Sequence, residues 1–251
     1  MKSFLERVRE YIVPAGRVAV YWLGQAGFLF KTDDERLILL DPYFSDCCNR
    51  HFGFKRLMAY LMDADEVNAD LLLVSHAHYD HLDIDSAADL LKNGKTRMWA
   101  AKDVEEEAAK LGLPAEQITY LAIGDTLTDG DVTVKAVACD HGELAPDALG
   151  FWITITGKSI YYMGDTAYRP EWYADEQLQG ADLLILPING AFGNLTETQA
   201  ADTAKRLCPR MTVPCHFWNF AEHGGNPQLF VEAMGEAPYT LMGIGGEPIL
   251  L

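Results

Sequence analysis

The sequence predicts one mixed domain of strands and helices, of the α/β or α+β class, covering residues 1–251. Three observations support this prediction: apolar runs typical of buried strands recur along the chain, helical periodicities lie between several of them, and turn signals mark hairpins. The length of 251 residues and the hydrophobic content of 49% are sufficient for one large core. No low-complexity tract or long linker divides the sequence.

The first half of the chain alternates strands with helices. Apolar runs predict strands at residues 18–22, 27–30, 37–40, 71–74 and 96–101. Apolar residues at helical spacing indicate two helices, whose predicted buried faces are Ile84, Ala88 and Leu91, and then Val104, Ala108 and Leu111. This alternation favours strands joined by crossover helices.

The second half is richer in hairpins. Asp129-Gly130 and Gly157-Lys158 are turn signals between apolar runs. Together with later apolar runs they predict strands at residues 132–139, 151–156, 159–163, 181–187 and 211–215. A capping box from Thr196 to Gln199 predicts the start of a helix, whose apolar face is Ala200, Ala204 and Leu207.

A cluster of metal-ligand side chains follows the strand at residues 71–74. His76, His78, Asp80 and His81 lie within six residues, in the order H-x-H-x-D-H. Imidazole nitrogens and carboxylate oxygens are ligands of zinc, manganese and iron. From residue usage, a chance match anywhere in a chain of this length is on the order of one in ten thousand. The stretch therefore predicts a metal site at the end of a buried strand.

This motif resembles the signature of the metallo-β-lactamase-fold hydrolases, in which a His, an Asp and another His follow downstream. The chain has His141, Asp165 and His216 in that order, each at the end of an apolar run. The resemblance spans nearly the whole chain and implies a four-layer αββα sandwich. It also implies two divalent metal ions, manganese or zinc, with iron as a further candidate.

The resemblance also implies a role for each ligand. The implied groups are His76, His78 and His141 for one ion, Asp80, His81 and His216 for the second, and Asp165 between the two. Bound ions of this kind activate water for hydrolysis. Asp80 would accept the proton from that water, so Asp80 and Asp165 are the expected catalytic residues.

Several other residues are candidates for supporting the motif. Asp41, in Asp41-Pro42 at the end of a strand, either orients a ligating histidine or caps a turn. Residues 49–62 carry many bulky side chains and are expected to form a helix or lid near the pocket. Residues 142–147 are expected to form a loop over the site, and His51 is interpreted as a structural or surface residue.

Two short stretches favour one branch of the family. Trp22-Leu23-Gly24-Gln25-Ala26-Gly27-Phe28, and His216-Phe217-Trp218-Asn219-Phe220 followed by Asn226-Pro227, resemble the L-ascorbate-6-phosphate lactonases. That branch implies hydrolysis of a small sugar-acid lactone that carries a phosphate, often with manganese. The candidate substrate contacts are Arg169, His223 and Asn219; Arg169 fits a surface turn before Pro170 equally well.

Composition limits the expected partners. The formal charge of −17 argues against a broad nucleic-acid-binding surface, and a small-molecule substrate is expected instead. The alternatives are a metal-dependent phosphodiesterase or nuclease, and a metal- or ligand-binding module without turnover. Five cysteines without C-x-x-C spacing, and no apolar span of about twenty residues, favour a soluble cytoplasmic protein without a membrane partner. A homo-oligomer is left open.

Overall fold

Two β-sheets form the centre of the computed structural model, which describes residues 2–251. Their thirteen strands are β1 Val18–Gly24, β2 Gly27–Thr32, β3 Leu37–Leu40, β4 Leu71–Val74, β5 Arg97–Ala101, β6 Ile118–Leu121, β7 Thr126–Asp129, β8 Val132–Ala138, β9 Leu149–Ile155, β10 Lys158–Tyr162, β11 Leu183–Pro187, β12 Thr212–Cys215 and β13 Ile249–Leu250. The first sheet has seven strands in the order β13-β1-β2-β3-β4-β5-β6. The second has six strands in the order β12-β11-β10-β9-β8-β7.

Helices cover both sheets. The six α-helices of the described residues are α1 Phe4–Glu10, α2 Cys47–Phe52, α3 Ala87–Leu91, α4 Val104–Lys110, α5 Glu197–Leu207 and α6 Pro227–Met234. Buried side chains of α1, α3 and α4 pack with the first sheet, and those of α5 and α6 pack with the second. The predicted capping box at the start of α5 is confirmed, because Thr196 and Gln199 each bond the other's backbone.

The alternation of side chains along the strands explains the layers. On β4, Leu71 and Leu73 belong to the core between the sheets, whereas Leu72 and Val74 pack with α1, α3 and α4. Both faces of this strand are therefore apolar, which is why its sequence is a continuous apolar run. The result is the expected four-layer αββα sandwich of helix, sheet, sheet and helix.

The structure corrects the predicted face of the helix that follows the metal-ligand motif. α3 is short, with Ala87, Leu90 and Leu91 buried, while Ala88 is exposed and Ile84 lies in the preceding turn. The cause is the buried Asp83, whose carboxylate accepts hydrogen bonds from the backbone nitrogens of Phe44 and Ser45 and from the Ser86 hydroxyl. These bonds keep residues 83–86 in a turn, so the helix starts later and its buried face is shifted.

Other elements differ less from expectation. Five elements were not predicted, namely α1, β6, β7, β13 and α6. β6 lies at a sheet edge and is only half-buried, so it lacks a continuous apolar run. α6 begins at Asn226-Pro227, where the Asn226 side chain caps the helix by accepting from the Gln228 backbone nitrogen at 3.0 Å. The expected segment at residues 49–62 is helical only to Phe52, within α2, and is largely irregular beyond it.

Strand direction brings the candidate ligands to one edge of the sandwich. β3 and β4 are parallel, and so are β10, β11 and β12. β8 and β10 both pair antiparallel with β9, so they run in the same direction. The segments that carry the candidate ligands follow the carboxyl ends of β4, β8, β10 and β12, where parallel strands place their loops side by side.

Candidate metal centre

One half of the site consists of three histidines from two loops. His76 Nε2 lies 2.9 Å from His78 Nδ1, and the ring centroid of His141 is 5.3 Å from His76 and 5.0 Å from His78. One nitrogen of each lies within 4.8 Å of the others. These are the three residues that the resemblance implies for one ion.

The other half surrounds His216. Its Nε2 lies 3.3 Å from Asp80 Oδ2, 3.1 Å from Asp165 Oδ2 and 3.3 Å from His81 Nε2. Asp165 also reaches the first half, because its Oδ2 is 3.7 Å from His141 Nε2. Its other oxygen, Oδ1, is 3.4 Å from His81 Nε2 in the second half. The carboxylate of Asp165 therefore lies between the two groups of histidines, as the resemblance implies.

The residues present fit two divalent ions. Ligand atoms about 2.1 Å from a tetrahedral zinc ion stand roughly 3.4 Å apart, which is the spacing around His216. All seven side chains offer nitrogen or carboxylate oxygen, the donors that such ions accept. Two of the buried atoms, Asp165 Oδ1 and His141 Nδ1, have no hydrogen-bond partner among residues 2–251. An ion beside Asp165 would satisfy the first, because buried polar atoms otherwise require a partner.

Asp41 orients one of the candidate ligands, which resolves the alternative left open by the sequence. Its buried carboxylate accepts from His81 Nδ1 at 2.7 Å, from Tyr162 Oη at 2.6 Å and from the Ser75 backbone nitrogen at 2.7 Å. Because the Nδ1 side of the His81 ring is held in this way, its Nε2 points toward Asp80 and Asp165. The roles of Ser75 and Tyr162 were missed by sequence reasoning.

Gln25 was also missed, although it lies in one of the stretches that resemble the lactonases. It occupies the turn between β1 and β2, and its side-chain nitrogen donates to Asp80 Oδ2 at 2.8 Å. Since a carboxylate only accepts, the NH₂ group of Gln25 must face the site. The same nitrogen lies 3.1 Å from His223 Nδ1, so one amide links Asp80 to His223.

The three candidate substrate contacts have different positions. His223 is buried beside the site, with its ring parallel to His216 at 5.2 Å, and could itself serve as a ligand with Asp80 and His216. Arg169 forms an ion pair with Asp140, and Asn219 is buried. Neither of these two lines the cavity above the site. His51 is exposed and packs edge-on against Tyr79, consistent with its interpretation as a surface residue.

Backbone strain is concentrated around this site. Gln25, Asp41 and His216 have φ angles of 50°, 41° and 59°, in the left-handed region that side chains other than glycine rarely adopt. Phe192 and Trp218, with φ angles of 53° and 58°, lie in neighbouring loops. Such conformations persist where the surrounding structure holds the side chain in a required position.

The two halves of the site differ in protonation. Burial lowers the pKa of His76 well below its usual value and that of His141 to about 4, so both are neutral and ready to bind an ion. Burial also acts on His81 and His216, but Asp165 and Asp80 outweigh it and raise the pKa of both histidines. The same histidines, against the effect of burial, hold the pKa values of Asp80 and Asp165 well below the usual range.

We expect metal loading to release protons and to strengthen with pH. Burial opposes the charge on His216, but the carboxylates raise its pKa to about 9, so at neutral pH an ion must displace a proton. Affinity should rise by up to about tenfold per pH unit for each proton displaced, and level off above about pH 9. Chelator competition from neutral pH to about pH 10 measures this. An affinity independent of pH, or a slope that His216→Ala does not reduce, would contradict it, because the raised pKa of His81 contributes a slope of its own.

A cavity of about 450 Å³ opens onto the metal centre. Its floor includes Asp80, Asp165 and His216, and its sides include Phe54, Leu144 and Phe192. The cavity therefore confirms that residues from 49–62 and from 142–147 lie around the site. Its volume is in the range of small-molecule sites.

Comparison with known proteins identifies the family. The model of a family described as a beta-lactamase superfamily domain matches residues 36–217, more than half of the chain. The chain belongs to the metallo-β-lactamase superfamily. The matched region contains all seven candidate ligands of the metallo-β-lactamase centre.

Individual relatives agree with this assignment. A UPF0173 metal-dependent hydrolase of Polynucleobacter asymbioticus is 29% identical over 221 residues, covering 80% of this chain and 75% of the relative. One from Pyrococcus abyssi is 29% identical over 239 residues, covering 93% and 100%. Igni18, described as a metallo hydrolase from Ignicoccus hospitalis, has a TM-score of 0.73 at 23% identity, covering 94% of this chain and 98% of that chain.

These comparisons confirm the sequence prediction at the level of the superfamily, that of metal-dependent hydrolases with a metallo-β-lactamase fold. The lactonase-like branch, the identity of the metal and the substrate stay predictions. Among residues 2–251, no helix is both long and apolar enough to cross a membrane.

Proposed function

We propose that this metallo-β-lactamase superfamily protein hydrolyses a small-molecule lactone or ester by means of a metal-activated water. The observation that carries the proposal is the position of Asp165, whose carboxylate lies between two groups of ligands at the floor of a cavity. A substrate of small-molecule size can reach this floor, because Asp80, His78 and His141 also line the cavity.

Each candidate ligand has a proposed role in the reaction. His76, His78 and His141 would hold one ion, and Asp80, His81 and His216 the other, with Asp165 shared and His223 beside them. Bound manganese or zinc, or iron, would lower the pKa of a water and polarise the scissile carbonyl. Asp80 lines the cavity and is kept ionised by its neighbouring histidines, so it can accept the proton of the attacking water. Gln25 holds the Asp80 carboxylate in place through its 2.8 Å hydrogen bond.

The proposed substrate need not carry a phosphate, unlike the substrate that the lactonase branch implies. Arg169 is paired with Asp140 outside the cavity lining, so the sequence candidate for binding a phosphate is already engaged. The formal charge of −17 also disfavours the nuclease alternative, since polyanion binding requires neutralising cations. The five cysteines are all unpaired, which supports a reducing compartment such as the cytoplasm.

The test is ring opening of a panel of lactones, followed by NMR, with manganese- or zinc-loaded protein. We expect turnover that chelation abolishes and that Asp80→Ala lowers on the order of 10³-fold, because it removes both a metal ligand and the proton acceptor. Asp89→Ala, at an exposed carboxylate on α3, is the matched control and should be unaffected. If the loaded protein leaves lactones, esters and phosphodiesters intact, a binding module without turnover becomes the better interpretation.

A further inference from the structure

Aromatic side chains from separate segments form one wall of the cavity above the metal centre. This aromatic wall consists of Phe52, Phe54, Tyr79 and Phe192, which come from α2, the segment after it, the metal-ligand loop and the loop after β11. Neighbouring ring centroids are 5.9 Å apart for Phe52 and Phe54, 6.0 Å for Phe54 and Phe192, and 5.4 Å for Phe52 and Tyr79. The rings therefore make a continuous apolar surface rather than scattered contacts.

Part of this surface remains in contact with solvent. Phe52 is 56% exposed and Phe192 is 45% exposed, and Leu144 across the same cavity is 56% exposed. Phe54 is less exposed because its ring packs on Phe220 at 6.1 Å, which anchors the wall to the folded body. Contiguous exposed apolar surface of this kind is unfavourable in water and marks a binding surface.

The cavity carries no cationic side chain outside the candidate ligand set. Among residues 2–251, no lysine or arginine lines it, and Asp80, Asp165 and His216 at its floor belong to the candidate metal centre. Of the cations in residues 49–62, Lys55 is exposed and outside the cavity lining, and Arg50 pairs with Asp85. The third, Arg56, and Arg169 near Asp165 are bound elsewhere. Arg56 bonds the carbonyl oxygens of Tyr43 and Ser45, and Arg169 pairs with Asp140. An anionic group on the substrate would therefore meet no fixed positive side chain in the cavity.

Phe192 is held in the wall against a local backbone preference. Its φ of 53° lies in the left-handed region, which bulky side chains rarely adopt and glycine adopts freely. Glycines flank this loop at positions 190 and 193, yet an aromatic residue stands at the strained position. Its ring contacts Phe54 and His223, the latter at 5.1 Å, so it lies between the wall and the metal centre.

We infer that this site selects substrates whose scissile carbonyl carries an uncharged, apolar substituent of about phenyl size, and that Phe192 is a specificity-determining residue for it. The inference rests on the proposed function, because the carbonyl must reach the metal centre while its substituent lies on the aromatic wall. A sugar phosphate would be a poor substrate, because its anionic group, held away from the metal centre while the carbonyl reacts there, would meet no lysine or arginine in the cavity lining.

The test uses hydroxamates, which bind a metal ion through one common head group and differ only in the arm. Acetohydroxamate, phenylacetohydroxamate and succinic monohydroxamate are titrated calorimetrically into the metal-loaded protein and into Phe192→Gly and Phe192→Asn variants. Both substitutions tolerate a positive φ, so they remove the ring without adding strain. Leu229→Ala, at an exposed apolar residue of α6 outside the cavity, is the control.

We expect the phenyl compound to bind at least about tenfold more tightly than acetohydroxamate, and the carboxylated compound no more tightly than acetohydroxamate. Phe192→Gly should lose most of the gain from the phenyl arm, keep its affinity for acetohydroxamate and melt at nearly the wild-type temperature. Equal affinities for the three probes would overturn the inference while leaving the metal centre intact. Failure of all three to bind protein shown to contain metal would overturn the proposed function and the inference with it.

Discussion

Asp165→Asn is expected to reduce the metal content from two ions per chain to one or none, and to lower kcat on the order of 10³-fold. The carboxylate is the one group that lies within 3.1 to 3.7 Å of ligand nitrogens in both halves of the site. Asparagine has nearly the same volume, so the fold is preserved, but it lacks the charge that two cations require. Metal analysis after dialysis, together with the rate of lactone ring opening, measures both effects.

The same substitution at Asp182 is the matched control. Asp182 directly precedes β11, at the end of that strand opposite to the metal centre, and its carboxylate accepts from the backbone nitrogen and the hydroxyl of Ser159 in β10. Asp182→Asn should therefore retain two ions and full activity. A variant of Asp165 that still holds two ions would show that this residue is not shared between them.

Asp41→Ala is expected to weaken both folding and metal binding. It leaves buried donors of His81, Ser75 and Tyr162 without their acceptor, and breaking a buried charged network of this kind costs roughly 3–5 kcal/mol. The more conservative Asp41→Asn should fold, but it should bind metal about 10–100-fold more weakly because His81 loses the carboxylate that orients it. Urea unfolding and chelator competition measure the two effects separately.

Tyr162→Phe separates the contribution of Asp41 to folding stability from its contribution to the orientation of His81. It removes one hydrogen bond to the carboxylate, at a cost of about 1 kcal/mol, and leaves the 2.7 Å contact with His81 Nδ1 in place. Stability should fall slightly while metal affinity stays at the wild-type level. If Tyr162→Phe weakened metal binding as much as Asp41→Asn, the carboxylate would act through general packing and not through the orientation of His81.

The left-handed conformations of Gln25, Asp41, His216 and Phe192 connect stability to function in this fold. Three of these residues touch or form the metal centre, and the fourth lies in the aromatic wall. The protein keeps these strained positions because the side chains are required where they stand, and a variant that relieves the strain at Phe192 would be a less selective one.

The sequence by itself determined the fold class and predicted the candidate ligand set. His76, His78, Asp80 and His81 are close in the chain, and a buried strand that ends at a loop places them together whatever the remainder does. The other three candidates were predicted from the resemblance to the metallo-β-lactamase signature, and the structure brings them to the same edge because each follows the end of a strand of like direction. Periodicity was less reliable in the short helix α3, where the tertiary contacts of Asp83 delayed the helix and moved Ala88 to the surface.

Only the tertiary structure decided what surrounds those ligands. Asp41 and His81 are separated by 40 positions, Gln25 and Asp80 by 55, and Gln25 and His223 by 198, so no local pattern reports these contacts. The aromatic wall likewise joins side chains from four segments, and the pairing of Arg169 with Asp140 removes the cation that the sequence offered for a phosphate. The chemistry of a metal ligand is a property of one side chain, whereas orientation, charge balance and pocket shape arise from side chains that meet only when the two sheets pack together.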